Sequence, residues 1–222
     1  MSTFDDGVRA AAAPYSEWFL KVYDLWVVHL SNSWAWRCHR RNFLDLYAAH
    51  LGARHLEVGP GSGWALAHSD LPAGTEVTLL DLNPNSLAHT RRRIDERAAV
   101  ATIRHDVFAA LPDGTGPFDS VAIHYVLHCL PGAWPTKSGA LANLAAALDE
   151  NGTLFGSTVL GVGPRRNPFA WALTEAYNRV GAFHNRTDDL PGLEAALSAS
   201  FHSVQVWVVG NVALFVAREP RR

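Results

Sequence analysis

The stretch Leu56-Glu57-Val58-Gly59-Pro60-Gly61-Ser62-Gly63-Trp64 constrains this chain more than any other. Ala53 to Val58 reads as a short strand, and Ala65-Leu66-Ala67 begins a helical run. Three glycines at alternate positions let the backbone turn sharply and let a ligand approach the main chain. The helix that follows points its free N–H groups at that ligand. The spacing narrows the choice of turn. A phosphate-cradling P-loop ends in Lys-Ser/Thr, and Gly63-Trp64 does not. A dinucleotide turn carries glycine at its first, third and sixth places, and the sixth place here is Trp64.

Further acids follow in order. Glu76-Val77-Thr78-Leu79-Leu80-Asp81 is an apolar strand that ends in a carboxylate. Asp81 falls roughly 20 residues after the glycine turn, where such folds place an acid on ribose hydroxyls. A carboxylate can accept two hydrogen bonds from a diol; a turn or helix-capping aspartate is the alternative. Ile103-Arg104-His105-Asp106-Val107-Phe108 and Phe118 to Leu130 are two more such segments.

An acid two places before Gly-x-Gly-x-Gly, with these later segments in order, resembles the class I S-adenosylmethionine (SAM) methyltransferases over about half the chain. The resemblance implies SAM as cofactor. It places Glu57 near the methionine end, Gly59, Pro60, Gly61, Ser62 and Gly63 around it, and Asp81 with Leu82 at the ribose. Asp106, Val107 and Phe108 are placed at the adenine, and His124 at the end of the fourth strand.

The rest of the chain fits one α/β domain. Strands are expected near 54–58, 76–81, 101–105, 118–124 and 153–159, with helices near 63–69, 84–98 and 138–149. This βα alternation predicts a Rossmann-like, seven-stranded, mostly parallel sheet with helices on both faces. Asn151-Gly152 reads as a tight turn into the fifth strand. Helices are expected over Phe169 to Val180 and Leu193 to Ser200. Ser203–Val209 and Val212–Ala217, flanking Gly210-Asn211, read as a closing antiparallel hairpin, which the common dinucleotide fold lacks.

Residues 1–50 are expected to form a helical cap before a SAM-binding core over 51–222. Tyr15, Trp18, Phe19, Val22, Tyr23, Trp26, Val27 and Leu30 recur at helical spacing. Such a helix packs on the sheet or walls an acceptor pocket. The second reading makes Tyr15, Trp18, Tyr23 and Trp26, with Tyr125, the substrate-binding residues.

Composition removes several classes of partner. A formal net charge of −2, with no basic block longer than Arg91-Arg92-Arg93, argues against nucleic acid. Cys38 and Cys129 are the two cysteines, which points to a reducing cytoplasm and supplies no metal or disulfide framework. No apolar run approaches the roughly 18 residues of a membrane span. A homodimer is compatible with all of this.

SAM carries an activated methyl. The enzyme must hold a small, aromatic or apolar acceptor in line behind it at about 3 Å and exclude water. A base is needed only where the acceptor must lose a proton. His124, His128 and His29 are the candidate catalytic residues, because histidine titrates near neutral pH; His184 is a weaker fourth. Cys129 reads as core. Two other readings stand beside methyl transfer: a SAM-dependent elimination or pericyclic step, and a nucleotide-cofactor oxidoreductase.

Overall fold

The structure is a computed structural model that describes residues 35–164 and 167–222. Tyr15, Trp18, Tyr23, Trp26 and His29 lie outside the described residues, as does the rest of the expected cap helix. In chain order the elements are α1 (Arg41–His50), β1 (Arg54–Val58), α2 (Trp64–His68), β2 (Glu76–Asp81), α3 (Pro84–Ile94), β3 (Ala99–Arg104) and β4 (Phe118–His124). They continue with α4 (Trp134–Ala147), β5 (Leu148–Val159), α5 (Pro168–Arg179), α6 (Leu190–Ser198), β6 (Phe201–Val209) and β7 (Val212–Pro220).

Seven strands form one sheet in the order β3-β2-β1-β4-β5-β7-β6. The first five are parallel, and β7 runs antiparallel to both β5 and β6. The order reverses between β1 and β4, so their carboxyl ends splay around a crevice. The central strands are apolar on both faces because helices cover both. Leu56, Val58, Val121, Ile123 and Leu154 pack with α4 and α6 on one face. Leu79, Ala122, Phe155 and Leu214 pack with α1, α2, α3 and α5 on the other. Gly156 keeps β5 tight against β4: a Cβ there would lie 2.1 Å from the Ile123 carbonyl oxygen.

Three sequence expectations change. Asn151-Gly152 lies within β5, not in a turn before it. The register runs from Phe118↔Leu148 to Ser120↔Thr153, so β5 bulges there and absorbs the extra residues. Helix α4 starts at Trp134, ahead of the expected 138, because Pro135 sits in its first turn, where its missing N–H is not needed. Helix α6 starts at Leu190 for the same reason at Pro191, and Asp189 caps it by accepting the Gly192 N–H.

Lys137 of α4 is fully buried. Its ammonium is paired with Asp188 and donates to the His184 carbonyl at 3.0 Å, which fastens the segment before α6 onto α4. Breaking such a pair strands a buried charge. Asp188→Ala should therefore lose about 3–5 kcal/mol in urea unfolding, and Lys137→Met with Asp188→Leu should recover most of that loss.

Candidate active site

The cavity lies at the carboxyl ends of β1, β2 and β4. One side is formed by Val58, Gly59 and Gly61 of the glycine turn, with Leu80, Asp81, Leu82 and Ser86. The far side holds His105, Asp106 and Val107, and the remaining wall runs from His124 through Tyr125 and Val126 to Cys129, Leu130 and Pro131.

The glycine turn is held tightly. The Gly59 N–H donates to the Leu80 carbonyl at 2.8 Å, and φ at Gly59 is +62°. A Cβ on Gly59 would sit 2.4 Å from a Val126 methyl, so β1 and the loop after β4 close on each other only through glycine. Pro60, Ser62 and Gly63 shape the turn from behind the cavity wall. The Pro60 carbonyl accepts the Gly63 N–H at 2.8 Å, and the Ser62 carbonyl accepts from Arg93 at 2.9 Å. A Cβ on Gly63 would collide with Thr90 of α3.

Asp81 ends β2 with one oxygen accepting the Asn83 N–H at 2.9 Å and the other the Ser86 hydroxyl at 2.8 Å. Burial raises its pKa, and these hydrogen bonds oppose the rise. Asp106 is turned by the Phe108 N–H at 3.0 Å and lines the cavity next to Val107. Phe108 packs into the core beside it.

Glu57 is placed differently from the sequence expectation. Its carboxylate is 4% exposed and does not line the cavity. Both its oxygens accept from the Tyr47 hydroxyl at 2.8 Å, and His55 Nε2 lies 3.1 Å from one of them. His55 Nδ1 in turn meets Ser120 Oγ at 2.8 Å. The side chains of β1 alternate, so Glu57 faces α1 while Val58 faces the other layer.

His124 ends β4 on that same α1 face. It stacks on Tyr47 at 5.2 Å, with Phe43 at 5.5 Å and Phe155 at 5.8 Å. Its Nδ1 is 3.0 Å from Ser157 Oγ, and its Nε2 is buried with no partner among the described residues. Burial, helped by His55, pushes its pKa down to about 3. Tyr125 follows with φ at +57° and meets Phe43 edge-on at 5.2 Å.

His128 and His184 are used in packing. His128 is 2% exposed, and its Nδ1 accepts the Val159 N–H at 3.2 Å. Burial and the Lys137 charge lower its pKa to about 3. It does not line the cavity. His184 Nδ1 lies 3.1 Å from the Cys129 carbonyl oxygen. Cys129, expected in the core, lines the cavity, with its thiol pushed up to about 12 by burial. Sequence reasoning missed Ser86, His105 and the Val126–Pro131 wall; the helical turn after Tyr125 is the signal that could have found the last.

A family profile described as a methyltransferase domain matches residues 56–154. The physcion biosynthesis cluster O-methyltransferase of Aspergillus chevalieri is 36% identical over 211 residues, covering 94% of this chain and 95% of that one. The chain belongs to the methyltransferase family. The demethylluteothin O-methyltransferase of Streptomyces thioluteus is 38% identical over 96% of this methyltransferase and 93% of its own length. The fold is shared with the N-methyltransferase NodS from Bradyrhizobium japonicum in complex with S-adenosyl-L-homocysteine, at a TM-score of 0.63, 14% identity and full coverage of both chains.

The protein is a SAM-dependent methyltransferase that acts on a small molecule, and membership sets the oxidoreductase alternative aside. Its residues fit SAM: glycine backbone at the β1 turn, a carboxylate at the end of β2 for a diol, and an apolar slot at Leu82, Val107 and Leu130 for a purine. Bound there, SAM supplies a methyl already activated by its sulfonium. No group of His, Cys, Asp and Glu suited to holding a metal occurs among the described residues.

Asp81→Ala should weaken SAM binding by roughly 2–3 kcal/mol, or on the order of 30- to 150-fold, in calorimetry. A second expectation concerns acid. His128 folds neutral but takes up a proton when unfolded, so unfolding binds more protons below pH 6.5 and stability falls with pH toward its folded value of about 3. The slope approaches about 1.4 kcal/mol per pH unit. Urea unfolding at pH 6.5 and 5 should show a steeper loss in the parent than in His128→Asn, which keeps an acceptor for the Val159 N–H.

Proposed function

We propose that this methyltransferase transfers methyl to a hydroxyl oxygen of a flat, apolar small molecule of the phenol or enol class, in specialised metabolism. The observation that carries the reading is the acceptor wall. His124, Tyr125, Val126, Cys129, Leu130 and Pro131 present apolar and aromatic surface with one neutral imidazole. That suits a planar ring whose oxygen is already acidic, because no strong base is offered. The relatives named as O-methyltransferases, one for a biosynthesis cluster and one for demethylluteothin, support it.

In this reading Gly59, Gly61, Asp81, Leu82, Asp106 and Val107 hold SAM. Glu57, Pro60, Ser62, Gly63 and Phe108 support them. His124 and Tyr125 face the acceptor, and Tyr15, Trp18, Tyr23 and Trp26, which lie outside the described residues, are its further proposed binding residues. The chain is read as one domain, with residues 1–50 leading into the core over 51–222. Helix α1, inside that leader, is already seated on the sheet. Unpaired Cys38 and Cys129 support a cytoplasmic setting. No described helix is long and apolar enough to cross a membrane. A homodimer is tested by sedimentation.

Incubation with SAM and a panel of phenols, enols, amines and thiols tests the reaction by mass. Gain of one methyl on oxygen is expected, and methylation of amines alone overturns the acceptor class. SAM-dependent conversion without methyl gain marks the elimination or pericyclic alternative. His124→Ala should lower turnover by about 10- to 100-fold while SAM affinity stays within about twofold.

A further inference from the structure

Ser157 and His124 lie directly opposite each other across the parallel β4–β5 pair. Ser157 is fully buried, and its hydroxyl has one partner among the described residues, His124 Nδ1 at 3.0 Å. A serine hydroxyl carries a single proton. Donated to Nδ1, that proton is used and the imidazole proton resides on Nε2. In the opposite arrangement Nδ1 holds the imidazole proton, and the Ser157 O–H is left unmade in a dry interior, which is the costlier state. His124 lines the cavity, and its buried Nε2 is then an N–H that lacks an acceptor among the described residues. A buried donor of this kind calls for one.

We propose that Ser157 is a positioning residue that fixes His124 as its Nε2–H tautomer, and that His124 donates a hydrogen bond to an acceptor arriving as an oxyanion instead of removing its proton. The proposal rests on the reading that the acceptor lies against His124. The surroundings favour a neutral donor. Phe43 and Tyr47 of α1 and Phe155 of β5 enclose the ring. Across β1, Glu57 is committed to Tyr47 and His55, so it is not free to take the His124 proton. Burial holds the imidazole uncharged, which matches a donor and makes a poor base.

The step balances without a protein base. The acceptor hydroxyl loses its proton to solvent before binding, and its oxyanion meets the Nε2–H and the positive sulfonium of bound SAM. The oxygen lone pair forms the new C–O bond as the S–C bond breaks, and sulfur keeps that electron pair. The product is a neutral ether, and His124 ends as it began. The device selects acceptors acidic enough to ionise near neutral pH, such as phenols next to a carbonyl or vinylogous acids.

Imidazole carbon and nitrogen NMR of the ligand-free protein tests the tautomer apart from turnover. His124 should carry its proton on Nε2 in the parent, and an Nδ1–H population should appear in Ser157→Ala. Turnover per KM in that variant should fall about tenfold with SAM affinity unchanged, and Ser157→Thr, which keeps the hydroxyl, should recover most of it. Across phenols of graded acidity, kcat/KM of the parent should rise through each acceptor's own pKa. An Nδ1–H signal in the parent, parental turnover in Ser157→Ala, or one shared pKa for all acceptors overturns the proposal. Parental turnover in His124→Ala removes the acceptor placement itself. Should Ser157→Ala not fold, the parent's tautomer and the acceptor series decide the matter.

Discussion

A buried carboxylate sets the terms for one whole face of this protein. Glu57 cannot stay in a dry sheet–helix layer without hydrogen bonds, and Tyr47 and His55 supply them. Tyr47 belongs to α1, so the bond pins that helix over β1 and β4. The Tyr47 ring then becomes the shelf on which His124 rests, and His55 carries the chain of contacts on to Ser120 of β4. Replacing any one member leaves a polar atom stranded under the others. The acidic residue of the glycine motif thus shapes the His124 side of the cavity while its backbone neighbours shape the opposite side.

The two halves of the site were unequally readable. The cofactor half is made from backbone turns and strand ends, and those leave marks in sequence: glycines at alternate positions, and acids that close apolar strands. Gly59, Gly61, Asp81, Asp106 and Val107 could be named for that reason, and the structure puts them around one cavity. The alternation of each strand also fixes which way a side chain points. That alternation turns Glu57 toward α1, a direction its place beside the glycines does not reveal. Its carboxylate instead meets Tyr47, ten residues earlier in the chain.

The half of the cavity around His124 is built from tertiary contacts that no local pattern announces. His124 and His128 look alike in sequence, four residues apart near the end of one strand. One lines the cavity, and the other spends its nitrogen on the backbone of β5. Only the pairing of β4 with β5 separates them, and Ser157 gains its significance from that same register. Two helices start earlier than expected for a simpler reason: Pro135 and Pro191 sit in their first turns, a position that suits proline.

The antiparallel strand β7 lies between β5 and β6, although it follows both of them in the chain. Its side chains from Val212 to Ala217 are buried, so β5 has an open flank until they arrive. During synthesis the parallel part of the sheet therefore exists for a time as a half-built platform with an apolar edge, the kind of surface that chaperones hold and that aggregates recruit. Completion of the sheet therefore waits on these residues, and the flank of β5 is covered only once they pair with it.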